Sequence, residues 1–477
     1  MNSYRVFVIL LVAAFFSGCV QDPPTVPSPN TGSTIVTKYV AIGNSLTAGY
    51  QSNGLYQSAQ LYSFPNLIAQ QLRTAGASIG NFEQPYYSDP GTPGSDGKAS
   101  RYEIISLAGP VIGPRGLAPG SPINLALARP YDNLGIPGIV IASFLDQTNF
   151  TSNPLVPLVL RNSAGFPNSV FGQVKLLRPD LVTFWLGNND VLGYATSGGV
   201  SPSSPTPSVI FAALYSQAMD SLRSVLPTAK IVVANIPNVT AIPFFTTVGP
   251  KMAAGIPAGV YLRYQKHGNA SVAFDSTRLT ETNAPFIPLT GSAYTAYLGK
   301  GAGQGGGKWY RDKNYPALPA GIDTSKPFGF HPQNPWPDAL VLDLDEQVTA
   351  GNAVNDFNNT IRNVAAAKGA VLVDINGFFN GVKAHHYFVA GQEFTADYVS
   401  GGLFSLDGVH PSSRGAGIIA NEFIKVMNSS FGMNIPLVDI STIPGITAPL
   451  SKQGSKELVV PVIPLSAFKD LDMLWGK

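Results

Sequence analysis

The chain has 477 residues, and its apolar content of 44% supplies enough material for a sizeable core. Only 12% of residues are charged while Gly (49) and Pro (40) are abundant, which predicts long ordered loops rather than a helical bundle; aromatic residues spread along the chain argue against disorder. The formal charge is +2 and no dense basic run occurs, so a nucleic-acid partner is unsupported.

At the N-terminus a basic head (Arg5) precedes an apolar stretch from Val6 to Phe16. That stretch is too short to span a bilayer but fits the core of a signal peptide. It ends in Phe16-Ser17-Gly18-Cys19, and Cys19 is the one cysteine of the chain. This segment resembles the lipobox of bacterial lipoproteins. The resemblance implies that residues 1–18 are removed and that the Cys19 thiol carries a diacylglycerol, which explains a single cysteine in an exported protein. Val20 stands where many lipoproteins retained in the inner membrane have Asp, so the expected location is the cell envelope, at the outer membrane of a Gram-negative cell. Gln21 to Ser33 is rich in Pro, Ser, Thr and Asn, and residues 19–34 read as an extended tether.

Beyond the tether, the β-branched and apolar run Tyr39-Val40-Ala41-Ile42 predicts a buried strand over 38–42. A helix is expected around 62–75, then a Gly/Pro-rich insertion over 84–130 with weak periodicity. Asn133-Leu134-Gly135-Ile136-Pro137-Gly138 reads as a tight turn. Leu181 to Leu186 is a second strand, ending at Gly187-Asn188-Asn189-Asp190. A helix fits 208–225, where Ile210, Leu214, Ala218 and Leu222 recur every four residues, and Lys230 to Ala234 is a third strand. The irregular segment 241–340 is too long for a structureless loop in a compact domain and predicts a folded subdomain or lid. An amphipathic helix follows over 346–367. Asp343, Asp345 and Glu346 lie at its positive end, which accounts for these carboxylates without a metal. Ala370 to Asp374 is a strand, an Asp-x-x-His loop comes next, and 413–430 is a last helix. Residues 433–477 form a Pro-rich extension with no assignment. Strands alternating with helices argue for a parallel sheet.

Two short motifs at opposite ends of the chain carry chemistry. Ser45, in Gly43-Asn44-Ser45-Leu46, sits just past the carboxyl end of the first strand, the edge at which open α/β sheets bind ligands. A serine hydroxyl becomes nucleophilic when a base takes its proton. His410, in Asp407-Gly408-Val409-His410, is the best candidate base, and Asp407, three residues earlier, is placed to fix its tautomer and stabilise the imidazolium. Of the other four histidines (His267, His331, His385 and His386) none follows an aspartate in this relation before a helix. Adjacent His385 and His386 on a strand would point to opposite faces, and no H-E-x-x-H pattern or cysteine cluster occurs, so neither a metal nor another cofactor is expected. Because the motifs lie far apart yet must converge, one large domain with insertions is the preferred organisation.

Four segments taken in order resemble the GDSL family, or SGNH hydrolases: Gly43 to Leu46, Asn133 to Gly138, Gly187 to Asp190, and Asp407 to Pro411. The resemblance implies an α/β three-layer sandwich around a central, mostly parallel five-stranded flavodoxin-like sheet, spanning residues 35–432 with insertions at about 84–130 and 241–340. Asn44 replaces the family's usual Asp, at similar size and hydrogen-bonding capacity. Thr47, two residues after Ser45, excludes the G-x-S-x-G elbow of α/β-hydrolases. The resemblance also assigns the oxyanion donors: the backbone N–H of Ser45, the backbone N–H of Gly138 and the side-chain amide of Asn189. Asn188 competes for the last role, and Asp190 is expected to hold the loop. The segment Asn235 to Phe245 resembles the corresponding part of lipase-like and carboxylesterase members, with Phe244 and Phe245 as candidate linings of an acyl pocket. The expected function is therefore a lipid-anchored carboxylesterase or lipase acting on small-molecule or lipid esters. The alternatives are a carbohydrate O-acetylesterase and, from another class, a non-catalytic surface-binding lipoprotein.

Overall fold

Five short apolar runs form one sheet in the computed structural model, which describes residues 28–106, 111–147, 153–200, 204–266, 273–281, 283–445 and 463. Its strands in chain order are β1 (Tyr39–Gly43), β2 (Asn133–Gly135), β3 (Leu181–Trp185), β4 (Lys230–Ala234) and β5 (Val371–Val373). They lie in the order β2-β1-β3-β4-β5, and every pairing is parallel. This is the doubly wound arrangement expected of the sequence, with order reversing where β1 lies between β2 and β3, so the carboxyl ends of β1 and β3 open onto one crevice.

Two consecutive residues of β3 show why the sheet is a middle layer. Successive side chains of a strand leave on opposite faces. Trp185 meets Phe64 (5.7 Å between ring centroids) and Phe423 (6.0 Å) on one face. Phe184 meets Phe144 (5.3 Å) and Tyr215 (5.6 Å) on the other. The first face is covered by helices Phe64–Thr74 and Ser413–Phe431, joined by a Phe64–Phe423 stack at 4.9 Å. The second is covered by Ser208–Val225 and Leu344–Ala367, joined by a Phe211–Phe357 stack at 4.0 Å. With helices on both faces, β1 and β3 are buried throughout and read as continuous apolar runs.

Several expectations are corrected. Asn133 to Gly135 is not only a turn: it is the edge strand β2, too short and too polar to be read as a strand from its residues. The helix expected to begin at 346 begins at Leu344, because Asp343 caps it. Its carboxylate accepts the Glu346 N–H at 2.9 Å while Glu346 accepts the Asp343 N–H at 2.7 Å. A helix, Ile375–His385, and a hairpin, Tyr387–Val389 with Gln392–Phe394, occupy the stretch read as loop before His410. His385 and His386 are therefore not on a strand. His385 ends the helix and His386 caps it with φ +59° beside Glu393.

The insertion 84–130 contains the hairpin Tyr102–Ser106 with Val111–Pro114. The segment 241–340 is folded, with helices Pro243–Thr246, Val248–Gly255 and Lys308–Asp312 and the hairpin Leu262–Gln265 with Phe274–Thr277. Its Phe244, Phe245, Leu262 and Trp336 are fully buried and belong to the same core as the sheet. After the last helix, Val438 exchanges two hydrogen bonds with the Asn421 side chain (2.7 and 3.0 Å), and Asn434 pairs with Asn30 from the end of the tether. Cys19, His267 and most of 446–477 lie outside the described residues.

Candidate active site

The turn after β1 is shaped by close approach. A Cβ on Gly43 would lie 2.0 Å from Thr47 Oγ1 and 2.8 Å from the Trp185 carbonyl oxygen, so a side chain here would drive β1 and β3 apart. Asn44 then starts the one-turn helix Ser45–Ala48, its Oδ1 accepting the Leu46 N–H at 3.1 Å. Asn133 pins that turn from β2, donating from Nδ2 to the Thr47 carbonyl at 2.8 Å. Ser45 is thereby held at the carboxyl edge of the sheet and is 5% exposed.

The loop at 405–410 reaches the same edge from the other end of the chain. Ser45 Oγ lies 2.8 Å from His410 Nε2, and His410 Nδ1 lies 3.0 Å from Asp407 Oδ2. Asp407 Oδ2 also accepts the Asn53 N–H (3.0 Å), while Oδ1 accepts those of Val409 (2.9 Å) and His410 (2.8 Å). Burial pushes the Asp407 carboxyl up, but the charge and hydrogen bonds of His410, with the N–H of Asn53, outweigh it and hold the group below the ordinary carboxylate range. The Tyr50 ring lies against the imidazole, 4.8 Å between centroids, and closes that flank. The three residues predicted from sequence thus form one hydrogen-bonded array across 365 positions of chain.

The loops after β2 and β3 complete the edge. Gly138 has φ +85°, a conformation that favours glycine. The neighbouring Ile139 carbonyl accepts from Asn189 Nδ2 at 2.9 Å, which ties the two candidate oxyanion-donor loops together. An amide nitrogen carries two hydrogens, so this bond leaves Asn189 a second one to donate. Asp190 staples the loops from behind: one oxygen accepts the Ile141 N–H (2.9 Å) and the other the Thr206 hydroxyl (2.8 Å). Burial is the largest influence on this carboxyl, and it is pushed up to about 6 against those two hydrogen bonds.

A cavity of about 60 Å³ opens beside Ser45 and His410, with Asn188, Asn189 and Asn44 also in its wall. Its remaining lining is mostly apolar and includes Trp185, Leu192, Ile242, Phe404 and Val409. A larger cavity of about 390 Å³ is lined by Tyr50, Leu158 and Arg161 but by neither Ser45 nor His410, so the smaller one is the cavity that meets the Ser45–His410–Asp407 array. Gly138 is not in the wall of either cavity. Phe244 and Phe245 do not line an acyl pocket: both are fully buried core residues, and the same segment contributes Pro237, Val239, Ala241 and Ile242 instead. Phe379 and Lys383, from the helix that sequence reading missed, also line the cavity. The one local signal for that helix was Asp374, whose side chain caps it through the Gly377 N–H at 2.9 Å. Among the described residues, no group of three or more His, Cys, Asp or Glu is placed to hold a metal ion.

An all-parallel α/β sheet with a Ser–His–Asp array at its carboxyl edge has the layout of a hydrolase whose nucleophile is a serine. The model of the GDSL-like lipase/acylhydrolase family matches residues 39–423, and the chain belongs to that family of ester hydrolases. No curated protein sequence matches it. Similar solved structures include an extracellular lipase from Streptomyces rimosus (15% identity over 83% of this chain and 99% of that one, TM-score 0.32). A phospholipase A1 from Streptomyces albidoflavus matches at 13% identity over 83% of this chain and 99% of that one, TM-score 0.32. A family 3 carbohydrate esterase from Clostridium thermocellum matches at 13% identity over 84% of this chain and 98% of that one, TM-score 0.31.

Proposed function

We propose that the protein is a serine ester hydrolase of the carboxylesterase or lipase type, working through an acyl-serine intermediate. The observation that carries this reading is the continuous hydrogen-bonded array Ser45–His410–Asp407 at the wall of a mostly apolar cavity. His410 Nε2 takes the Ser45 proton as Oγ attacks the ester carbonyl, then returns it to the departing alcohol. Asp407 holds the imidazole with Nδ1 protonated and stabilises the cation that forms. The oxyanion is met by the backbone N–H groups of Ser45 and Gly138 and the Asn189 amide, donors of the kind whose individual loss costs about 3 kcal/mol in the barrier. Water then enters, activated by the same histidine, and releases the acid.

The small volume of the cavity favours a second reading, hydrolysis of short acyl esters such as O-acetyl groups on carbohydrate. Initial rates on p-nitrophenyl esters from acetate to palmitate, measured for the full chain beside Ser45→Ala, separate the two. Activity that requires Ser45 and peaks at medium or long chains supports the lipase-like reading. Activity confined to acetate supports the deacetylase. Equal activity in both proteins, or none in well-folded wild type at any chain length, defeats both.

A further inference from the structure

Two cavities flank the strand that delivers Ser45. The small one, which Ser45 and His410 line, draws much of its wall from segments that follow β3, β4 and β5, among them Leu192, Ile242 and Phe379. The cavity of about 390 Å³ is walled by segments that follow β1 and β2, including Pro122 and Leu125 from the first insertion and Leu155 and Leu158 from the helix Leu155–Leu160. β1 lies between β2 and β3, so the two cavities fall on its two sides. Two contacts tie the larger one to the reaction centre. Tyr50 stands in its wall, and the same ring packs on the His410 imidazole at 4.8 Å. Asn153, which precedes the wall residue Pro154, donates from Nδ2 to the Pro137 carbonyl at 2.7 Å, one residue before Gly138.

The polar groups of this wall are largely committed elsewhere. Thr92 Oγ1 accepts the Leu55 N–H (3.2 Å), and the Ser100 hydroxyl donates to the carbonyls of Asn53 (2.6 Å) and Thr92 (3.1 Å). Arg161, the one charged residue of the wall, donates to the carbonyls of Leu125, Leu127 and Arg129, and its guanidinium lies over the rings of Tyr131 and Phe166. Four prolines and three leucines supply most of the rest. A volume of about 390 Å³ lies within the range of roughly 300–1,000 Å³ usual for small-molecule sites. A sugar buried there would leave most of its hydroxyls unmatched, which costs free energy, whereas an apolar group would not.

Resting on the serine-esterase reading, we propose that this cavity is the alcohol subsite, and that the preferred substrates are short acyl esters of a bulky apolar alcohol. An ester held at Ser45 has two arms. The acyl arm becomes bonded to Ser45 Oγ and so belongs in the cavity of about 60 Å³ that Ser45 lines. As the ester C–O bond breaks, the departing alkoxide takes the proton from His410 Nε2, so its oxygen must lie within hydrogen-bond reach of that atom. The alcohol arm then leaves from the His410 side, where the Tyr50 ring is its neighbour and the larger cavity its space.

The test varies the two arms separately, by acid release from ethyl acetate, hexyl acetate, ethyl hexanoate and 6-O-acetylglucose. The expected result is a kcat/KM for hexyl acetate tenfold or more above that for ethyl acetate, with no such gain for ethyl hexanoate. Leu158→Trp, which fills the cavity, is expected to bring the hexyl-to-ethyl acetate ratio towards one. Leu125→Trp, at a wall residue that is 46% exposed, gives the same reading if the first variant does not fold. A wild type that gains from the longer acyl chain and not from the longer alcohol overturns the assignment, as does a ratio that both substitutions leave unchanged. 6-O-Acetylglucose cleaved better than hexyl acetate overturns the apolar alcohol. In each of these outcomes the serine-esterase reading stands if activity disappears in Ser45→Ala. Activity that persists in Ser45→Ala, or well-folded wild type inactive on all four esters, removes that reading and the assignment with it.

Discussion

At the scale of single residues, two buried carboxylates face opposite demands. Asp407 accepts three backbone N–H groups besides the imidazole. Asp407→Asn keeps the shape but removes the charge and favours the wrong imidazole tautomer, so kcat on a p-nitrophenyl ester is expected to fall roughly 10³- to 10⁴-fold. Its folded pKa is depressed, so the stability it contributes is present above the unfolded value near 3.8 and is lost as pH falls through the lower folded value. Asp190 has the reverse sign. Its folded pKa is raised to about 6 from 3.8, so its neutral form favours folding, and that contribution, fully present below 3.8, disappears as pH rises through 6. Asp190→Asn fixes the neutral state, with its carbonyl still able to accept from Ile141 and its NH₂ able to donate to Thr206 Oγ. Its melting temperature is expected to rise relative to wild type between pH 4 and pH 7, as read by paired thermal scans; a difference that stays flat across that range refutes the assignment.

At the scale of elements, the site depends on three strand ends brought within van der Waals reach. Gly43→Ala places a methyl against Thr47 Oγ1 and the Trp185 carbonyl, one of them backbone that cannot rotate away. The substitution is expected to destabilise by about 2 kcal/mol or more and to lower kcat as Ser45 moves from His410. Urea unfolding and ester kinetics on the same preparation check both effects. The long apolar strands β1, β3 and β4 were legible because burial on both faces leaves uninterrupted β-branched and aromatic runs. β2 was not, since Asn133, Leu134 and Gly135 hold their place through pairing to β1 and the Asn133 side chain rather than by propensity. The helix Ile375–His385 escaped for a related reason. Two glycines, Gly377 and Gly381, weaken its intrinsic helicity, and packing and the Asp374 cap compensate.

For the whole molecule, the insertion 241–340 is part of the main core and not an appendage. Phe244 donates its N–H to the Gly408 carbonyl at 3.0 Å, so this segment braces the loop that carries Asp407 and His410. Among the described residues no helix is long and apolar enough to cross a membrane. Attachment to the envelope is proposed to rest on lipid at Cys19. Growth of the native cell with an alkyne-tagged fatty acid is expected to label the wild-type protein and not Cys19→Ala; wild type that stays unlabelled removes that proposal.

Local chemistry in the sequence determined the strands β1, β3, β4 and β5, the order of the motifs and the choice of Ser45, Asp407 and His410 as candidates, because a turn after a buried strand and an Asp three residues before a His are short-range patterns. Which side chains line the cavity beside Ser45 was decided only by the tertiary structure. Phe244 and Phe245 went to the core, Phe379 and Lys383 came to the cavity from an unread helix, and Asn188 was left buried beside Asn189 without a partner. Those outcomes depend on how helices and insertions pack across hundreds of residues, and a packing contact between distant segments leaves no local pattern in either one.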